Sequence, residues 1–456
     1  MQDTIVAIAS AYGEAGIGIV RISGEQALEI FEKIFKTKGE IADRKFNYGH
    51  IVDPADGKVL DEVMAVYLKA PRTYTREDVV EIDCHGGIVP LKNILQLAIK
   101  MGAKPADRGE FTKRAFLNGR LDLSQAEAVI DLIKSKSEKS FEIAQSQADG
   151  YLSKKIRVFR EKLKDILVEI AVNIDYPDED IEEIIYEELS KKLSDIETDI
   201  RKLLDSAKTG KILKEGLAVA IVGKPNVGKS SLLNLLTKEE RAIVTDIAGT
   251  TRDTIEANIS ISGISINLID TAGMRKTEDA IEKIGILRSK EALKKAQLVI
   301  LLLDASEPLQ QEDYDIIRSL KEKETIVFFN KMDLNVVEEN FEDEIFKIFD
   351  KIKIIRGTVK EERGIKHLEK KIEEIVFGGK INIDSSEFVS NVRQTDLLKK
   401  ARDAVFDSNL AVKARQALDF VEIDIKNAYE YLGEIIGENV SDDVINTVFS
   451  KFCLGK

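Results

Sequence analysis

The sequence predicts a multidomain chain of mixed class. Within a multidomain α+β and α/β chain it reads as a mixed α/β N-terminal domain, then a helical bundle interrupted by an inserted α/β domain with a doubly wound sheet. Three observations carry this. Short β-branched runs separated by turn residues fill the first part of the chain. Helical periodicity without strand signals follows, and returns near the C-terminus. Between the two helical stretches, an apolar run leads into a glycine-rich loop and a helix. At 456 residues the chain exceeds what one core organises, so several domains are expected. The expected boundaries are residues 1–118, 119–215, 216–378 and 379–456.

In the first segment, residues 4–10, 17–22, 46–52, 59–68 and 79–84 read as strands, with a hairpin turn at Asp53-Pro54-Ala55-Asp56-Gly57. Helices are expected at 26–35 and 91–101, the second entered through Pro90. The connections are short enough for an antiparallel sheet. From Leu121 the character changes, and Ser124-Gln125-Ala126-Glu127 matches a capping box. Pro177 should break the helices in an acidic turn. Ile185, Leu189, Leu193, Ile196, Ile200 and Leu203 then form a stripe that needs a partner helix. After the inserted segment, Leu397, Leu398, Val405, Leu418, Ile425, Tyr431 and Ile435 restore helical spacing.

The inserted segment carries the chemistry. Gly223-Lys224-Pro225-Asn226-Val227-Gly228-Lys229-Ser230 follows the apolar run 217–222 and opens a helix that continues through Ser231. Glycines let backbone N–H groups close around phosphates, Lys229 sets a cation against the β/γ oxygens, and the Ser230 hydroxyl suits the Mg²⁺ shell. Asp270-Thr271-Ala272-Gly273 ends a second strand: Asp270 holds Mg²⁺ through water, and the Gly273 N–H senses a γ-phosphate. Asn330-Lys331-Met332-Asp333 ends a third, where the Asp333 carboxylate accepts from both guanine N1–H and the exocyclic amine. These three elements in this order predict a Ras-like GTPase domain with GTP as substrate. Thr358-Val359-Lys360 stands where such proteins usually carry Ser-Ala-Lys, and its backbone can cap the base. Thr245-Asp246-Ile247-Ala248-Gly249-Thr250-Thr251 supplies a switch threonine for Mg²⁺, Thr251, in a loop rich in oxygens that can hold a monovalent cation. The position that orients water in Ras-like proteins is Met274, whose thioether cannot do so.

Composition narrows the setting. A net charge of -13 argues against general polyanion binding, so a nucleic-acid partner needs a local patch. Candidates are Lys104, Arg108, Lys113, Arg114 and Arg120, and the run Lys154, Lys155, Arg157, Arg160, Lys162 and Lys164, the latter read as a solvated helix face. Cys84 and Cys453 are too few for a disulfide framework, and His50, His85 and His367 lack ligand spacing. No apolar run reaches membrane-spanning length, and a cytoplasmic protein is expected.

The phosphate loop, Thr245-Asp246-Ile247-Ala248-Gly249-Thr250-Thr251-Arg252-Asp253, the inserted architecture, Gly109-Glu110-Phe111-Thr112-Lys113-Arg114-Ala115-Phe116-Leu117-Asn118 and the end Phe452-Cys453-Leu454-Gly455-Lys456 closely resemble the MnmE (TrmE) family of tRNA-modification GTPases. The resemblance covers the whole chain. It implies K⁺ beside the γ-phosphate, held by Asn226, Thr245, the Ile247 carbonyl and Thr250, in place of an arginine finger. It implies Glu282 as the water-orienting carboxylate, filling the gap left by Met274. It further implies a homodimer whose N-terminal domain binds a tetrahydrofolate derivative, 5-formyl- or 5,10-methylene-tetrahydrofolate, through Arg21, Glu81, Arg120 and Lys456. Arg120 replaces a frequent lysine, which keeps the charge and changes the donor geometry. Cys453 is a possible functional thiol near the folate or the partner flavin. An MnmG-family flavoprotein partner and tRNA complete the implied assembly, which modifies C5 of the wobble uridine.

Overall fold

The computed structural model describes residues 3–175, 182–239, 255–269, 293–334, 336, 345–346, 348–349, 352–378 and 388–456. Chain order begins β1 (Ile5–Ile8), β2 (Ala15–Ser23), α1 (Ala27–Ile34), β3 (Phe35–Lys36), β4 (Phe46–Val52), β5 (Val59–Leu68), β6 (Val79–Gly86), α2 (Ile88–Lys100), β7 (Lys104–Pro105) and α3 (Glu110–Leu117). Four helices follow: α4 (Leu123–Lys134), α5 (Glu138–Ala148), α6 (Tyr151–Asp175) and α7 (Glu182–Glu215). Next come β8 (Leu217–Val222), α8 (Lys229–Glu239), β9 (Ile255–Ile261), β10 (Ile264–Ile269), β11 (Leu298–Asp304), α9 (Gln311–Ser319), β12 (Thr325–Asn330), β13 (Lys353–Arg356) and α10 (Ile365–Val376). The chain closes with α11 (Val392–Lys413), α12 (Leu418–Ile436) and α13 (Asp442–Ser450). It falls into two units, one of Met1–Ile133, Gln147–Glu197 and Leu397–Lys456, the other of Lys134–Ser146 and Thr198–Asp396.

In the first unit a seven-stranded sheet runs in the order β3-β4-β5-β6-β2-β1-β7. It is antiparallel as expected, except that the short edge strand β7 pairs parallel with β1. Alternation sends Val20, Ile22, Val80 and Ile82 to one face, where α1 (Ile30, Phe31, Ile34) and α2 (Leu91, Ile94, Leu97) complete a core. The same alternation puts Arg21 and Glu81, direct cross-strand partners, on the opposite face. There Phe111 of α3 packs on Ile5 and Ala7 of β1. Helix α2 starts at Ile88, earlier than expected, so Pro90 falls inside its first turn, where a missing N–H costs little.

The capping box lies two residues earlier than the sequence suggests. Asp122 Oδ1 accepts from Gln125 N at 3.0 Å while Asp122 N donates to Gln125 Oε1 at 3.1 Å, so Asp122 and Gln125 start α4. Ser124 is buried within the helix and its hydroxyl donates back to Asp122. The charged run on α6 also departs from a uniformly solvated face. Arg160 is buried: its guanidinium lies 4.0 Å from the Tyr429 ring centroid on α12, donates to the Tyr429 carbonyl and pairs with Glu438. The expected stripe on α7 is buried at Leu189, Leu193, Ile196, Ile200 and Leu203. Pro177 lies outside the described residues. No described helix is long and apolar enough to cross a membrane.

The second unit is built on a six-stranded sheet, β13-β12-β11-β8-β10-β9, parallel except for β9. Strand β8 is flanked by β11 on one side and β10 on the other, so the chain order switches direction at β8. Such switch points open a crevice at the carboxyl ends of the strands, and the phosphate loop leaves β8 there. The near-continuous apolar run of β11 follows from burial on both faces.

Candidate functional site

The phosphate loop is shaped by its glycines. Gly228 has φ 105°, and a Cβ there would stand 2.3 Å from Asn330 Nδ2, so only glycine lets the loop close on the end of β12. That Asn330 amide is a two-way tie: Nδ2 donates to the Val227 carbonyl at 2.8 Å and Oδ1 accepts from Val359 N at 2.9 Å. One buried side chain thereby joins the phosphate loop, the end of β12 and the loop after β13. Lys229, at the start of α8, donates to the carbonyls of Gly223 at 2.7 Å and Lys224 at 2.5 Å. Burial holds its ammonium below the usual lysine range, which primes it to gain from a polyphosphate neighbour.

Beyond the end of β12, Asp333 Oδ1 accepts from the Thr358 hydroxyl at 2.7 Å. That bond holds the carboxyl below its ordinary range and fixes its direction. Thr358 thus occupies the place of the usual serine, and Lys360 follows in the short turn after it. Lys331, at φ 64°, pairs with Asp304 at 2.5 Å across the ends of β11 and β12. Asn226 is exposed at φ 62°, and Ser230 sits in the first turn of α8; both offer oxygens of the kind that hard cations prefer. The remaining expected residues lie outside the described residues: Thr245, Asp246, Ile247, Ala248, Gly249, Thr250, Thr251, Asp270, Thr271, Ala272, Gly273, Met274 and Glu282.

A second cluster forms on the outer face of the N-terminal sheet. Arg21 Nε donates to Glu81 Oε1 at 2.7 Å, and Arg21 Nη1 donates to the Gly455 carbonyl at 3.3 Å. Gly455 has φ 84°, and a Cβ there would meet the Ile8 carbonyl at 2.2 Å, so the tail lies hard against β1. This brings the terminal Lys456 beside the pair: burial, then Arg21, lowers its pKa, while Glu81 opposes. Arg120 is exposed, donates to the Tyr74 carbonyl at 3.2 Å and stacks 4.7 Å over the Tyr74 ring. Arg21 lies 5.6 Å from the centroid of Phe111, and Tyr74 packs on the cluster that holds Phe111. Three cations, Arg21, Arg120 and Lys456, one carboxylate and the Tyr74 ring thus gather over the buried Phe111, a set suited to a planar heterocycle with an anionic tail. Tyr74 was not among the expected residues; a lone aromatic in a loop carries no periodicity to betray it.

The basic stretch 104–120 is largely spoken for. Lys104 pairs with Asp3, Arg114 is buried between Glu77 and Glu110, and Lys113 donates to Asn446.

A family model for the MnmE helical domain matches residues 123–453, and one for the GTP-binding protein TrmE N-terminus matches residues 4–120. The tRNA modification GTPase MnmE of Alkaliphilus oremlandii (strain OhILAs) is 51% identical over 461 residues, covering 100% of both chains. The chain belongs to the MnmE family. Another MnmE, from Staphylococcus aureus (strain Newman), is 46% identical over 100% of this chain and 99% of its own. Among solved structures, the G domain of the T. maritima FeoB iron transporter is 28% identical over 35% of this chain and 97% of its own, with a TM-score of 0.25.

In this chain the two thiols differ sharply. Cys84 is buried with Sγ donating to the Gly18 carbonyl at 3.2 Å, and burial pushes its pKa up to about 11. The buried thiol is therefore held in its protonated, unreactive form. Cys453 is exposed in the C-terminal tail. A native-state thiol titration with a chromogenic disulfide should register Cys453 alone, and Cys84 only after denaturation; rapid reaction of both would contradict the burial.

Proposed function

We propose that the chain is a potassium-dependent GTPase that, with an MnmG-family flavoprotein, installs a carboxymethylaminomethyl or aminomethyl group at C5 of the wobble uridine of certain tRNAs. A folate one-carbon unit supplies the added carbon. The observation that carries the nucleotide half is the Asn330 tie, which sets phosphate loop and base loop in one frame with Asp333 aimed by Thr358. The residues present fit a guanine nucleotide: the cradle at Gly228 has no room for a side chain, and the Lys229 ammonium is already turned onto the loop.

Lys229 binds the β/γ oxygens, the loop N–H groups orient the chain of phosphates, and Asp333 selects guanine. Ser230 and Thr251 would hold Mg²⁺, with Asp270 acting through water. Asn226, Thr245, the Ile247 carbonyl and Thr250 would hold K⁺. Those oxygens would hold the two cations where their charge would offset what develops on the transferring phosphoryl group. Glu282 orients the attacking water.

The four segments 1–118, 119–215, 216–378 and 379–456 form an N-terminal folate and dimerisation domain, two parts of a helical domain, and the inserted GTPase domain. Arg21, Glu81, Arg120 and Lys456 bind the tetrahydrofolate derivative, 5-formyl or 5,10-methylene. Glu81 accepts from pterin N–H groups while the cations take its carbonyls or glutamate tail. Cys453 is the candidate functional thiol, placed to serve that site or the partner flavin. The protein works in the cytoplasm as a homodimer. Both ends of the insertion enter the helical segments, so nucleotide-dependent movement can be passed to them.

Nucleoside analysis of tRNA from cells lacking the protein tests the proposal. Unmodified wobble uridine that is restored by the wild-type chain is expected. Full modification in its absence would overturn it.

A further inference from the structure

The second residue of the phosphate loop carries a contact that no loop chemistry demands. Lys224 Nζ lies 2.6 Å from Asp313 Oδ2, with side-chain exposures of 11% and 3%. Asp313 is the third residue of α9, and the same Oδ2 accepts from Gln310 N at 2.9 Å, closing the capping box. An exposed aspartate would cap that helix equally well. Here the carboxylate is buried, and its Oδ1 has no hydrogen-bond partner among the described residues. Burying such a pair is a poor way to gain stability, because desolvation offsets the attraction; what it does well is fix position.

The backbone shows what is positioned. The carbonyls of Gly223 and of Lys224 itself hold the Lys229 ammonium. A line of contacts therefore runs from Asp313 through the Lys224 side chain to the Lys224 backbone and on to Lys229. The connection that leads from β11 to α9 holds the other end of the site as well, since Asp304 pairs with Lys331 and Ala305 N donates to the Asn330 carbonyl at 2.9 Å.

We infer that Asp313 is a positioning residue for the phosphate subsite: through Lys224 it sets the first turn of the loop so that Lys229 meets the β-phosphate in register. The inference rests on the guanine-nucleotide reading above. The pair acts on the phosphate end and leaves base selection to Asp333.

Affinities of the full chain for fluorescently labelled GDP and IDP, measured for wild type, Lys224→Met, Lys224→Arg, Asp313→Asn and the double variant Lys224→Met with Asp313→Asn, test it. Lys224→Met and Asp313→Asn should each weaken GDP about tenfold, about the worth of one charge-assisted hydrogen bond to the phosphate. The ratio of GDP to IDP affinity should stay at the wild-type value. The double variant should be no weaker than either single one, and Lys224→Arg, which leaves the helix cap untouched, should stay within about threefold of wild type. Wild-type affinity in Lys224→Met, a changed GDP to IDP ratio, or multiplicative losses in the double variant would each overturn the inference. A wild-type chain that binds neither nucleotide would instead remove the guanine-nucleotide reading on which it stands.

Discussion

Asp333→Asn is expected to exchange the base preference of the enzyme, with GTP lost as a substrate and xanthosine triphosphate gained. The Thr358 hydroxyl holds the Asp333 carboxylate at 2.7 Å, and with guanine bound its two oxygens would accept as a pair. Guanine answers with two donors, N1–H and the exocyclic amine. An asparagine turns one acceptor into a donor, leaving two donors opposed across a desolvated contact, which costs far more than the absence of a bond. Sites built on such hydrogen bonds discriminate by roughly 10⁴-fold, so kcat/KM for GTP should fall on that order. Xanthine presents a carbonyl where guanine has its amine and should recover most of the loss. Retained GTP preference in the variant would show that Asp333 does not read the base.

Glu282→Ala is expected to separate binding from chemistry. Met274 stands where a glutamine would orient water, and a thioether offers no hydrogen bond of the needed strength. With Glu282 as the group that takes over, its removal should lower GTP turnover by about 10²–10⁴-fold, the usual worth of a positioned acid–base group. Affinity for GDP should stay within about threefold, because Lys229, the loop N–H groups and Asp333 are untouched. Undiminished turnover would take Glu282 out of the reaction.

What the sequence disclosed and what it hid divide along one physical line. The phosphate loop, the Asn330-Lys331-Met332-Asp333 loop and the strands that present them are contiguous in the chain, so spacing alone reveals them. The Asn330 tie is different: its partners Val227 and Asn330 are separated by 103 residues, and only the parallel pairing of β8, β11 and β12 brings them together. The Lys224–Asp313 pair is hidden for the same reason, since Asp313 by itself reads as an ordinary helix-start acid. Arg160 was expected among solvated cations because charge runs usually are; the sequence cannot show that Tyr429 and Glu438 lie across from it. Asp122 with Gln125 and Ser124 with Glu127 fit the same four-residue pattern, so the sequence alone does not choose where α4 starts. Local competition between two equal patterns is settled by packing, and Ser124 and Leu123 are both buried.

On the N-terminal sheet, Arg21 and Glu81 were identifiable through the family resemblance, and cross-strand register then explains their 2.7 Å contact. Tyr74 and the Gly455 carbonyl complete the cluster from loop and tail, elements whose paths no periodicity predicts.

GTP turnover by the full chain in potassium, sodium and caesium salts at one ionic strength tests the central claim most directly. A site that completes its own charge balance with a bound alkali ion should turn over fastest in potassium and fall back to a slow basal rate in sodium and caesium. Equal rates in all three salts would contradict it.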